Sequence, residues 1–169
     1  MVTVEEAEAY ARAKNVDIQF CKGVIFRLKS IGVTDESVLS SVFLCQADFN
    51  FDEIHARFGR EIAVLVASLA RDQNLPRQKQ EEQYIKQLKD ASWNSTLIKL
   101  CEISARLKLI KESEMSKSKR NKILKQNIHY LLVLKNKITE KKPKTPGIEK
   151  LLDGINETLA QFGQREIKF

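Results

Sequence analysis

From Ile148 to Phe162 the apolar residues Ile148, Leu151, Leu152, Ile155, Leu159 and Phe162 recur three and four places apart, which lays them along one side of an α-helix. The same interval returns through the chain: Phe20, Val24, Leu28 and Ile31; Val38, Val42 and Cys45; Ile62, Leu65, Val66 and Leu69; Trp93, Leu97, Leu100, Cys101 and Ser104; Leu124, Ile128, Leu131, Leu134 and Ile138. No segment alternates apolar and polar residues with period two, so no strand is expected. Apolar stripes of this kind are buried only against one another. The expected fold is all-α, a bundle of about eight helices.

Six glycines and three prolines in 169 residues leave room for few turns, and a chain that is 43% apolar and 30% charged is an ordered globule rather than a disordered tail. The breaks fall at Gly32, at the Asp48 to Asn50 turn, at Gly59, at RDQNLPRQ (Arg71 to Gln78), at Asp90 to Ser92 and at KKPKTPG (Lys141 to Gly147). Thr34 or Asp35 is expected to cap the helix carrying Val38 and Val42, which would turn Cys45 inward. The strongly apolar helix over Ile62 to Leu69 is expected to be central to the core. This length suits one domain, here 1–169.

No apolar run reaches the roughly 18 to 20 residues of a membrane span, and MVTVEEAEAY lacks the basic-then-apolar pattern of a signal peptide. A cytoplasmic protein without a membrane partner is expected. Cys21, Cys45 and Cys101 are an odd number with no CxxC pair, which indicates reduced thiols rather than a disulfide framework or a zinc finger. His55 and His129 stand apart from any second candidate ligand.

The net charge of +7 is unevenly spread. Arg106 to Lys144 holds 13 Lys or Arg against Glu112, Glu114 and Glu140, so the rest of the chain is slightly acidic. Within that segment Lys117, Lys119, Arg120, Lys122 and Lys125 are candidates for binding an acidic protein face or a nucleic acid, and equally for a solvated helix face. Tyr130 is the one aromatic there, and no helix-turn-helix, finger or RNA-binding motif is visible.

Three stretches carry a resemblance. LKSIGVTDESVLSSVFLCQ (Leu28 to Gln46), FDEIHARFGREIAVLVASL (Phe51 to Leu69) and LPRQKQEEQYIKQLKDASWNSTLIKLCEISARL (Leu75 to Leu107) resemble, in order, the His-Asp helix, the following Phe-Gly helix pair and the "LIKLADRLDNL" helix of the HD-domain hydrolases of the RelA/SpoT type. Those enzymes remove pyrophosphate from the alarmone ppGpp. The similarity runs from about Ile18 to Leu109 and continues more weakly beyond. It implies an HD-domain-like helical bundle, with residues 1–111 as the hydrolase-like core and 112–169 as basic C-terminal helices packed on it. No synthetase-like region is expected.

The resemblance also implies a divalent metal, commonly manganese, held at positions that correspond here to Phe20, Cys45, Gln46 and Glu102. Phe20 has no lone pair to give, Gln46 offers a neutral carbonyl, and Cys45 is a soft donor for a metal that prefers hard oxygen. Only Glu102 keeps a ligand type. The family's catalytic "VVEDT" loop is about four residues shorter here and retains at most Asp48, while the Asn ending its "DR..N" motif is replaced by Arg106. Arg12 and Lys14 fall near the family's basic phosphate contacts.

With no metal to bring bound water toward pKa ~7, the expected function is that of a catalytically inactive HD-like interaction or regulatory module, with a protein partner and no cofactor. Glu102 is then expected to pair with Arg106 one turn on. Two alternatives stay open: a ppGpp or related nucleotide pyrophosphohydrolase with an altered site using Glu102, Asp48 and Cys45, and a nucleic-acid- or ribosome-associated protein acting through the basic segment. A zinc site remodelled from the three cysteines would need ligands that adjacent helical positions splay about 100° apart.

Overall fold

A computed structural model describes residues 2–48 and 50–169; Met1 and Phe49 lie outside the described residues, and with Phe49 the middle of the turn expected at Asp48 to Asn50. The described residues form nine α-helices and no strand: α1 (Val4–Ala13), α2 (Ile18–Ser30), α3 (Glu36–Leu44), α4 (Phe51–Phe58), α5 (Arg60–Leu69), α6 (Arg77–Asp90), α7 (Trp93–Glu112), α8 (Lys117–Lys141) and α9 (Ile148–Gln161), with a 3-10 turn over Lys142–Lys144.

Side-chain caps set most of the starts. Thr3 and Glu6 close a capping box on α1, and Asp17, Asn50, Ser92 and Ser116 each accept from a backbone N–H in the first turn of their helix. Of the two candidate caps before α3, Asp35 does the work, accepting from Ser37 N and Val38 N at 2.8 and 3.2 Å. Gly59, at φ 90°, swings the chain from α4 directly into α5, a conformation that a Cβ would strain.

The centre of the molecule is α7 rather than α5. Leu97, Ile98, Leu100, Cys101, Ile103, Leu107 and Ile110 are buried around its whole circumference, and it packs against α2, α3, α5, α8 and α9. A helix that buries residues on every side shows a weak stripe although it is the most enclosed, whereas α5 buries one side only and leaves Val64 exposed. The remaining helices stack outward from it, with α3 joining α1 to α5 and α6 lying on α8.

Polar ties fix the periphery. Trp93 Nε1 donates to Thr145 Oγ1 at 2.9 Å, holding the start of α7 to the turn before α9. Lys137 Nζ donates to Leu88 O and Ala91 O at 2.9 and 2.6 Å, satisfying carbonyls at the end of α6. Among the described residues no helix is long and apolar enough to cross a membrane.

Candidate functional site

A cleft of about 420 Å³ opens where the end of α3, the end of α5 and the segments α6, α7 and α8 meet. Gln46, Arg71, Tyr84, Lys99, Glu102 and Tyr130 give its wall a polar character.

Glu102, 9% exposed on α7, is surrounded by donors. Gln46 Nε2 donates to Oε1 at 2.7 Å, the Cys45 thiol reaches the same oxygen at 3.4 Å, and Lys99 Nζ lies 3.5 Å from Oε2. Lys99 is equally enclosed; its ammonium donates to Tyr84 OH at 2.7 Å and sits 4.9 and 4.6 Å from the ring centroids of Tyr84 and Tyr130. A buried ammonium with a carboxylate, a hydroxyl and two π faces around it is well compensated.

A second polar cluster lies beside the first. Arg71, just past α5, bonds the Glu81 carboxylate and the Tyr130 hydroxyl and lies over the Tyr84 ring at 4.2 Å. Tyr130 OH in turn donates to Glu81 Oε1 at 3.0 Å. Burial pushes both phenols up, Tyr130 to about 12, so each stays a neutral hydrogen-bonding group. Burial also acts to raise Glu81, but the bonds from Arg71 and Tyr130 outweigh it and hold the carboxyl below its ordinary range.

The fold gathers Cys45, Gln46, Asp48 and Glu102 at this one cleft. Cys45 ends α3 and is half-buried rather than fully inward; its sulfur turns to Val42 O at 3.3 Å as well as to Glu102. Burial first, and Glu102 second, push its thiol well above the ordinary value, which disfavours the nucleophilic thiolate. Asp48 is exposed at the rim. Phe20 lies at the edge of the core with the Arg106 guanidinium 4.1 Å from its ring centroid. The expected Glu102–Arg106 pair is therefore corrected: Lys99, three residues before Glu102, is the partner, because Arg106 is drawn to the Phe20 face.

Several candidates lie elsewhere. Arg12 pairs with Glu8 at 2.6 Å and Lys14 approaches Glu53 at 3.9 Å, and neither lines the cleft. His55 and His129 are exposed. Lys117, Lys122 and Lys125 line a separate groove along α8, whereas Lys119 and Arg120 do not. Arg71, Tyr84 and Tyr130 were not expected at the site because three distant segments supply them. Lys99 was missed as well, although its three-residue spacing from Glu102 is that of helical neighbours.

No family model matches the chain, and no curated protein matches it. Among solved structures, that of a metazoan ortholog of SpoT, a protein that hydrolyses ppGpp and plays a role in starvation responses, superposes with a TM-score of 0.71 over 96% of this chain and 97% of that one, at 19% identity. The fold is that of an HD domain. At that identity the likeness speaks for the backbone, and the chemistry rests on the side chains present.

The metal that an HD fold implies does not fit them. The donor set offers one carboxylate, one thiol whose ionisation burial opposes, one amide whose nitrogen already bonds that carboxylate, and a phenyl ring. Lys99 brings a positive charge to the carboxylate and Arg106 brings another to the ring, so a divalent cation would meet repulsion as well as too few hard donors. Among the described residues no three of His, Cys, Asp and Glu converge as a ligand group.

Proposed function

We propose that this chain is a catalytically inactive HD-like module with an interaction or regulatory role. The observation that carries this reading is the saturation of Glu102: its oxygens take the Gln46 amide, the Cys45 thiol and the Lys99 ammonium. With Glu102 engaged in this way, the other carboxylate lining the cleft is Asp48 at its rim, and among the described residues no ligand group converges to hold a metal that would activate water. The open, polar cleft is compatible with binding a ligand without converting it.

Metal analysis of the purified protein after manganese loading, combined with a ppGpp turnover assay in manganese, tests this directly. The expected result is substoichiometric metal and no turnover above buffer. Stoichiometric manganese together with turnover would overturn the proposal in favour of a hydrolase with an altered site.

A further inference from the structure

The basic surplus of residues 106–144 is divided by the fold into used and unused cations. Arg106 covers Phe20, Lys137 holds the end of α6, and Lys142 pairs with Glu149 at 3.0 Å. Lys117, Lys119, Lys122 and Lys125 are exposed, and among the described residues none of their side chains has an ion pair or hydrogen bond. Lys117, Lys122 and Lys125 line a shallow groove of about 570 Å³ with Ser118 and Asn121. This is one side of the first two and a half turns of α8, and that helix has no acidic residue in its first turn. Of the segment's carboxylates, Glu112 acts on Arg27 and Glu140 contacts Lys141, which leaves Glu114 alone to offset the lysines.

We infer that this face of α8 docks the phosphate backbone of duplex nucleic acid. A protein partner would require an apolar or aromatic centre inside a polar rim, and the groove is lined by Lys, Ser and Asn throughout. Single strands are held largely by bases stacked on aromatic rings. The segment's one aromatic, Tyr130, is buried in the second polar cluster. What the surface offers is point charges flanked by hydroxyl and amide donors, the chemistry of contacts that neutralise phosphates without reading bases. This inference goes beyond the proposed inactivity of the cleft and is independent of it.

The test is fluorescence anisotropy of the full chain with a labelled RNA duplex, the same sequence as a single strand, poly-glutamate, and vesicles containing phosphatidylglycerol. About three neutralised phosphates predict that duplex affinity falls about 40-fold between 50 and 200 mM salt. Replacing Lys117, Lys122 and Lys125 together by Gln is expected to abolish duplex binding, whereas replacing all three by Arg retains it. Gln and Arg have helix propensities close to that of Lys, and an unchanged thermal midpoint confirms folding. Salt-independent binding overturns the inference, as does unimpaired binding by the folded Gln variant. So does affinity for the single strand, poly-glutamate or vesicles that equals or exceeds that for the duplex, or the absence of duplex binding at 50 mM salt.

Discussion

Glu102 and Lys99 hold each other in place. Each is about one-tenth exposed, and a buried charge that loses its partner destabilises a fold far more than a well-packed apolar pair in the same space. Glu102→Ala is therefore expected to lower stability by about 3 kcal/mol, because Lys99 keeps only Tyr84 and the two rings. Adding Lys99→Met is expected to restore most of that loss. Urea unfolding of the single and double variants checks it, and additive losses would show that Lys99 and Glu102 are not coupled. The pair also accounts for a carboxylate buried on a helix of the core. Its charge is matched from within α7, by Lys99 three residues earlier.

The docking of α9 turns on one glycine, and its own stability is limited by another. A Cβ on Gly147 would stand 2.9 Å from both the Cα and the carbonyl oxygen of Ile31, and backbone atoms cannot yield as a flexible side chain would. Gly147→Ala is expected to cost about 2 kcal/mol. Gly154 is exposed within α9 and a Cβ there meets nothing within 4 Å, so Gly154→Ala is expected to add about 0.5 to 1 kcal/mol by lowering the backbone entropy of the unfolded chain. Thermal unfolding distinguishes the two, and effects of the same sign would refute the contact between the α9 start and Ile31.

Across the whole molecule, the Arg71, Glu81 and Tyr130 cluster ties the segment after α5 to α6 and α8. Because Glu81 is held below its ordinary value of 4.5, the unfolded chain binds the proton more readily as acid is added. That contribution to stability is present above pH 4.5 and is lost as pH falls through the lower folded value. Glu81→Gln is expected to flatten the acid limb of a stability-against-pH profile measured by urea unfolding, with little change in its shape above pH 6. A profile of unchanged steepness would place the acid sensitivity elsewhere.

The three-to-four spacing was enough to mark α2, α3, α5, α7, α8 and α9 in the sequence, and Asp35 was one of the two caps expected for α3, since both signals act within one or two turns. The break at Gly59 was legible for the same reason, and the motif match around Ile98, Lys99 and Leu100 carried the HD fold. The centrality of α7 was not legible, because burial on all sides erases the stripe that signals burial on one. Nor could the sequence choose between Lys99 and Arg106 as the partner of Glu102. Both lie within one helical turn, and the choice was made by Phe20 on α2 and by Tyr84 and Tyr130 on α6 and α8. The sequence by itself determined where the main helices lie and which side-chain types stand at the positions the resemblance marks, because those are local properties. Only the tertiary structure decided which charges meet in the cleft and which lysines of α8 are left without partners among the described residues, because those depend on groups that the chain separates widely and the fold brings together.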